Sequence, residues 1–335
     1  MRILEIPSPG DEHAASPQPL SVGPPPILNA AVRLSQVTKT YGAHTAVREL
    51  DLVVPEGSLY GFIGPNGSGK TTTLRMILHI LQPDIGEVEV LGKVGMRAAN
   101  DDVGYLPEER GLYKKMSVRR LLVYYAALKG MGGRAARLEI DRWLERFELS
   151  DWRDKKIEAL SKGMAQKIQF ISTVLTKPRL VILDEPFSGL DPVNLEVMRA
   201  AIMGLTQAGS TVIFSTHDMT VAEQLCSHVF MIFKGDKVLD GTMQEVRGKY
   251  GVDTLRVRTD AGRSALEGLP GIEGVRDLGA YQEFRYSGDS QELLRVLGER
   301  TKIRHFEETN PTLQDIFVRI AGPEAEKATR AEGAA

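Results

Sequence analysis

The chain has 335 residues, too many for one small module and enough for two domains at roughly 100–200 residues each. Lys and Arg total 42 against 44 Asp and Glu, a formal charge of −2, so no basic field exists to hold a polyanion such as nucleic acid non-specifically. Apolar residues at 42% and charged residues at 26% exclude general disorder, and the single cysteine, Cys226, excludes an internal disulfide and a cysteine cluster for zinc.

Seven of the 17 prolines fall between Pro7 and Pro26, in a stretch without apolar periodicity; residues 1–30 read as a flexible tail, with a proline-rich docking peptide as the alternative. From Val32 the pattern changes to short β-rich runs, Val32 to Val37, Leu50 to Val54 and Ser58 to Ile63. Between 109 and 178 it turns helical: Ser117 is placed to cap VRRLLVYYAALKGM, and Arg134 to Leu149 carries apolar residues three and four apart, with Gly132 and Gly133 breaking the two helices. Strands return at Leu180 to Leu183, Thr211 to Ser215 and Val229 to Phe233, alternating with helical stretches as in a parallel α/β sheet. A domain over 31–250 is therefore expected, interrupted by a helical insert. Past Tyr250 the character shifts to a small α+β domain over 251–321, with strands at Thr254 to Thr259 and Gln282 to Tyr286 and helices at Ser290 to Gly298 and Thr312 to Ile320. Residues 322–335 carry five charges and no large apolar residue and read as a frayed tail. No apolar run approaches the ~18–20 residues that span a bilayer, and no basic segment followed by an apolar stretch opens the chain, so a cytoplasmic location is the default expectation.

Gly64-Pro65-Asn66-Gly67-Ser68-Gly69-Lys70-Thr71 satisfies the pattern G-x-x-x-x-G-K-S/T, following a predicted strand (Leu59 to Ile63) and preceding a predicted helix (Thr72 to Ile80). The glycines let consecutive N–H groups wrap a phosphate with a helix N-terminus behind them; Lys70 adds a charge at the β/γ-phosphates and Thr71 a hydroxyl for Mg²⁺. LVILDEP supplies the second element: four apolar residues suit a buried central strand, which ends in Asp184 and Glu185, where open α/β sheets bind ligands. Asp184 is a candidate to hold Mg²⁺ through water or Thr71, and Glu185 to orient or deprotonate an attacking water. The alternative for this pair is capping of the next turn.

Together these residues resemble the nucleotide-binding subunits of ATP-binding cassette (ABC) transporters over about residues 31–250. The resemblance implies an α/β phosphate-loop NTPase core with a β-rich N-terminal subdomain and a helical insert. It places nucleotide contacts at Gly64 to Thr72 and an adenine-stacking aromatic at Tyr41 in TKTYG. Leu160-Ser161-Lys162-Gly163-Met164 is similar to the family signature LSGGQ; Ser161 also suits a helix N-cap, so its hydroxyl, the Gly163 N–H and the helix dipole can receive a γ-phosphate. In the family that signature faces ATP held by the other subunit, implying a head-to-tail dimer, either a homodimer or a pair of related subunits. Asp191, in Ser188-Gly189-Leu190-Asp191, matches the loop that links the two sites, and is equally a helix N-cap before Pro192. His217 matches the histidine that contacts γ-phosphate and positions the catalytic glutamate. By resemblance, then, Glu185, His217 and Lys70 are catalytic, and Thr71, Glu108 and Asp184 are the metal-binding set.

The sequence also departs from the family pattern. Glu108, in Gly104-Tyr105-Leu106-Pro107-Glu108, stands where the family usually has glutamine; it retains an oxygen for Mg²⁺ but adds a charge near the triphosphate. Lys162 replaces the first signature glycine, a residue either facing an anion or simply solvated, and Met164 replaces the terminal glutamine. These substitutions, with YLPEERGLY and NPTLQDIFVRI, are similar to a bacterial subgroup resembling sodium-exporter ATPase subunits with an extra C-terminal domain. That domain could be regulatory, extend a dimer contact, or cap the cassette. The resemblance implies ATP and Mg²⁺, separate transmembrane permease subunits, no nucleic-acid partner, ATP hydrolysis coupled to transport (an exporter), and a position on the inner face of the cell membrane through the permease. The rival readings are a soluble ABC-type ATPase with a non-transport target and a non-hydrolysing regulatory module.

Overall fold

The computed structural model describes residues 29–95, 102–109, 111–250 and 254–322. The tails expected at 1–30 and 322–335 lie almost wholly outside the described residues. The chain opens with β1 (Ala30–Tyr41), β2 (His44–Pro55) and β3 (Leu59–Ile63), followed by α1 (Lys70–Ile77), β4 (Ile85–Val90), β5 (Lys93–Val94) and β6 (Val103–Leu106). Strands β2-β1-β4-β5 form an antiparallel sheet whose inward residues, among them Val32, Leu34, Leu50, Leu52 and Val54, are buried. Helix α1 begins two residues before the expected Thr72 and ends at Ile77; His79, at φ 52°, adopts the left-handed conformation that stops a helix.

The insert holds α2 (Val118–Leu128), α3 (Gly133–Arg146) and α4 (Lys162–Val174), with short 3₁₀ turns at Ser150–Trp152 and Ile157–Ala159. Ser117 caps α2 by accepting from the Arg120 amide at 3.4 Å. Gly132 is the N-cap of α3 and Gly133, at φ 65°, its first residue, so the pair separates the helices as expected while one of its members joins the second. Trp143, Phe147 and Phe170 pack ring against ring, with centroids 5.7–5.9 Å apart, and fasten α3 to α4.

The chain continues through β7 (Leu180–Asp184), α5 (Pro192–Gln207), β8 (Thr211–Thr216), α6 (Met219–Leu225), β9 (His228–Phe233), β10 (Asp236–Thr242) and α7 (Met243–Tyr250). The second sheet runs β10-β9-β3-β8-β7-β6, parallel except for the β10 edge. The two-residue period of its strands divides the core. Tyr60, Phe62, Ile182, Ile213, Phe230 and Ile232 face the antiparallel sheet and α1, whereas Leu59, Ile63, Val181, Leu183, Val212, Phe214 and Met231 face the opposite, helical side. Every residue of β3, β7 and β8 is buried, which is why apolar residues run on consecutively within them, as in Leu180–Leu183 and Val212–Phe214, rather than alternating. Cys226 fills the space above Gly61, where any Cβ would overlap its sulfur.

The last segment comprises β11 (Thr254–Thr259), a 3₁₀ turn at Gly262–Leu266, β12 (Ile272–Asp277), β13 (Gln282–Tyr286), α8 (Ser290–Arg300), β14 (Ile303–Thr309) and α9 (Leu313–Ala321). Strand order β12-β13-β11-β14, all antiparallel neighbours, is a split βαβ arrangement in which the 3₁₀ turn stands for the first helix. Leu255, Val257, Phe284, Leu293 and Leu297 form its own small core. Helix α9 does not join that core. A Thr312–Asp315 capping box starts it, and Leu313, Ile316 and Phe317 are buried in the cassette, Phe317 edge-on to Phe233 at 5.5 Å. The Leu313 amide donates to Glu223 of α6 at 3.0 Å.

Candidate functional site

The loop from Gly64 to Gly69 joins the end of β3 to α1, and two of its glycines are fixed by steric contact. Gly64 has φ 154° and a Cβ there would overlap the Ile232 carbonyl oxygen; Gly69 has φ 115° and a Cβ would sit 2.5 Å from the Ala46 oxygen and 2.9 Å from Ile232 Cδ1. The turn between β9 and β10 supports the loop from beneath through the Gly235 amide, which donates to the Ser68 oxygen at 3.0 Å. No side chain caps α1, which leaves its first-turn amides available to an anion. Lys70 is buried, and its Nζ donates to the carbonyls of Gly64 at 2.5 Å and Pro65 at 3.2 Å. The Ser68 hydroxyl is also buried and has no hydrogen-bond partner among the described residues.

Asp184 and Glu185 stand at the end of β7, both buried. Ser215, the register partner of Asp184 on β8, holds both: its hydroxyl donates to Asp184 Oδ1 at 2.5 Å and accepts the Glu185 amide at 3.0 Å. Glu185 has φ 50°, a left-handed conformation that costs a non-glycine residue about 1–2 kcal/mol. His217 Nδ1 lies 3.0 Å from Glu185 Oε1. Burial pushes the Glu185 carboxyl above the usual carboxylate range, against the opposing pull of the His217 hydrogen bond and charge and of the Lys70 charge.

One cavity of about 450 Å³ takes in Tyr41, the loop from Asn66 to Thr72, Glu108, Asp184 and Glu185. His217 reaches it through Glu185. Tyr41 is half exposed at the mouth, and the cavity adds His44 and Ala46 across the β1–β2 hairpin, two residues that the sequence did not single out. The turn TYGAHT, with Tyr41 paired to His44, was the available signal. Ser215 was missed as well; a serine directly after the apolar Val212–Phe214 on the strand beside β7 was its only trace.

Ser161, Gly163 and Asp191 stand outside this cavity. Ser161 is the N-cap of α4, accepting the Met164 amide at 3.2 Å, and Asp191 the N-cap of α5, accepting the Asn194 amide at 3.0 Å. The two helix tips are adjacent, since a Cβ on Gly163 would lie 3.7 Å from Leu190 Cδ2. Lys162 is exposed and its stem lies across Gly189, whose Cβ position is 3.0 Å from Lys162 Cε.

Among the described residues no cluster of three or more His, Cys, Asp or Glu side chains could hold a metal unaided. Thr71, Glu108 and Asp184 nonetheless bring three oxygen-bearing side chains to the one cavity. That partial set fits Mg²⁺, which takes one or two carboxylates and completes its shell with phosphate oxygens and water.

Beside Glu108 runs a groove of about 310 Å³ lined by Tyr105, Pro107, Leu112, Tyr125, Leu128 and Gln169, among others. Gln169 shapes it by donating to the Pro107 and Glu109 carbonyls at 3.3 and 3.4 Å. No helix among the described residues is long and apolar enough to cross a membrane.

A phosphate loop at the head of a parallel strand, an acidic strand end beside it and two exposed helix tips define an ABC-type nucleotide-binding fold. Residues 47–188 match the family described as ABC transporter, and residues 241–321 match the C-terminal domain of DrrA1-3-like ATP-binding proteins. The chain is 43% identical over 291 residues to the uncharacterized ABC transporter ATP-binding protein YhaQ of Bacillus subtilis, covering 86% of this chain and 98% of that one. It is 30% identical over 299 residues to the Nod factor export ATP-binding protein I of Burkholderia lata, covering 88% and 98%. A solved ATP-binding subunit of an ABC transporter superposes with a TM-score of 0.62 at 26% identity, over 66% of this chain and 93% of that one. The chain belongs to the ATP-binding subunits of ABC transporters, and carries the DrrA-like C-terminal domain.

Proposed function

We propose that the chain binds Mg·ATP in the 450 Å³ cavity, hydrolyses it, and couples dimer closure to separate membrane subunits of an exporter. The observation that carries this reading is the Glu185–His217 hydrogen bond in a cavity shared with Lys70 and Asp184. The loop amides and the α1 N-terminus receive phosphate oxygens, Lys70 turns from its own carbonyls to the β/γ-phosphates, and Tyr41 stacks on the base. Thr71, Asp184 and Glu108 are the residues that would hold Mg²⁺, which supplies charge neutralisation at the phosphates when bound. Glu185 orients the attacking water and takes its proton; burial favours proton uptake by this carboxyl, and His217 fixes its direction.

Ser161, Gly163 and Asp191, on tips that do not line their own subunit's cavity, serve the nucleotide of a partner subunit in a head-to-tail dimer. The groove beside Glu108 receives the membrane subunit, which places the protein at the cytoplasmic face of a membrane. Export is favoured by relatives named for Nod factor export. Residues 31–250 form the cassette and 251–321 the accessory domain, with α9 docked back on the cassette. The test is Glu185→Gln: turnover is lost while ATP is still bound, so saturating Mg·ATP drives a dimer stable to size exclusion. A variant that binds ATP and remains monomeric would refute the dimer reading.

A further inference from the structure

The accessory domain has a cavity of its own, about 540 Å³, between its sheet and α9, far in sequence from every residue of the nucleotide cavity. Three guanidiniums, Arg276, Arg285 and Arg319, and two carboxylates, Glu283 and Asp315, line it, an excess of one positive charge.

The two carboxylates are already committed. Asp315 Oδ2 accepts the Thr312 amide at 3.1 Å and the Thr312 hydroxyl at 2.6 Å as the capping box of α9, while Oδ1 accepts Arg276 Nη1. Glu283 Oε2 accepts Arg256 Nη2 at 2.9 Å, and its Oε1 is 3.9 Å from Arg276 Nη1. The guanidinium donors outnumber them. Arg276 is engaged only through Nη1, and Arg285 only through Nη2, which meets the exposed Glu273 at 3.0 Å; Arg276 Nε and Nη2 and Arg285 Nε and Nη1 have no partner among the described residues. Arg319 is anchored on the opposite wall, donating to the Tyr250 carbonyl at 3.1 Å and the Thr254 hydroxyl at 3.2 Å.

A bulge brings the two arginines to one place. On β12 Glu273 pairs with Arg285 and Arg276 with Glu283, so Gly274 and Val275 together oppose Phe284 alone. Gly274, at φ 63°, lines the cavity, and a Cβ there would lie 3.7 Å from Arg285 Nε. The acids hold the guanidiniums in place; Arg276 keeps its Nε/Nη2 edge, the parallel N–H pair that matches a carboxylate or phosphate, and Arg285 adds single donors from Nε and Nη1.

The geometry points to a binding site for a small dissolved dianion, a phosphate or dicarboxylate, clamped between Arg276 and Arg285. Because α9 forms one wall and is also buried in the cassette, the ligand bridges the accessory sheet and the ATPase core. This site is independent of the nucleotide reading, and its test keeps the two apart by running every titration with a non-hydrolysable Mg·ATP analogue, which fills the γ-phosphate position, in saturating excess.

Inorganic phosphate and malonate are titrated into the full-length protein by calorimetry and thermal shift, with ionic strength held constant by chloride. Saturable binding of at least one probe is expected, weakened about tenfold or more by Arg285→Gln. Glu273→Gln, which frees Arg285 of its exposed partner, should bind at least as tightly as the unaltered protein. No saturable binding of either probe up to the order of 10 mM overturns the site, as does unchanged affinity in Arg285→Gln with its fold intact by circular dichroism.

Discussion

Ser215→Ala tests the arrangement of the carboxylates most directly. One buried hydroxyl donates to Asp184 and accepts from the Glu185 amide, so its removal leaves a carboxylate oxygen and a backbone N–H of two buried residues without their partner. An orphaned buried polar group costs about 1–3 kcal/mol, and two of them put the loss near 2–4 kcal/mol once Asp184 finds partial replacement. The same change removes the partner of the Glu185 amide and loosens its left-handed backbone, so turnover should fall more steeply than ATP affinity. Urea denaturation gives the first quantity, and steady-state ATPase assays with nucleotide titrations give the second. A loss below about 0.5 kcal/mol, within the scatter of ordinary surface substitutions, with unaltered kcat would show that Ser215 holds neither group.

The other expectations concern the loop, the base and α9. Gly69→Ala places a methyl group 2.5 Å from the Ala46 oxygen at a φ of 115°, so ATP affinity should drop at least about tenfold in a nucleotide titration; unchanged binding would mean the loop yields freely. Burial raises the Glu185 pKa, so the folded protein keeps this proton where the unfolded chain has lost it; the resulting stabilisation is complete below the unfolded value and disappears as pH rises through the folded one. Melting temperatures at about pH 5 and about pH 8 should therefore differ less in Glu185→Gln than in the unaltered protein. Phe317→Ala removes a fully buried ring, a change that typically costs about 3–5 kcal/mol, with the loss capped by the free energy of undocking α9. Hydrogen exchange should show α9 opening while β7 and β8 stay protected, and equal protection in the two proteins would contradict the packing.

The features legible in the sequence are those with local chemistry. The phosphate loop needed only its glycines and Lys70, and β3 and β7 showed as apolar runs because both faces of each are covered. Strand β14, IRHFEET, has polar residues on most positions and lies at a sheet edge, so its pattern never separates one face from the other. Strand β10 is similarly mixed and pairs only with β9. The apolar face of α9 was visible, but periodicity says that a face is covered and not by what; its partner, 80 residues or more upstream on α6 and β9, is a matter of tertiary packing. Ser215 escaped for the same reason, because its role depends on the β7–β8 register.

Lys70 is the feature with the longest reach. In this structure its ammonium group donates to two carbonyl oxygens of the loop it belongs to, so the cation is solvated by its own backbone. A visitor must offer more than these backbone dipoles to turn it outward, which concentrated negative charge supplies better than a stacked ring. On the function proposed above, adenosine would leave the latch shut and a di- or triphosphate tail would open it, so the resting loop would discriminate by tail length.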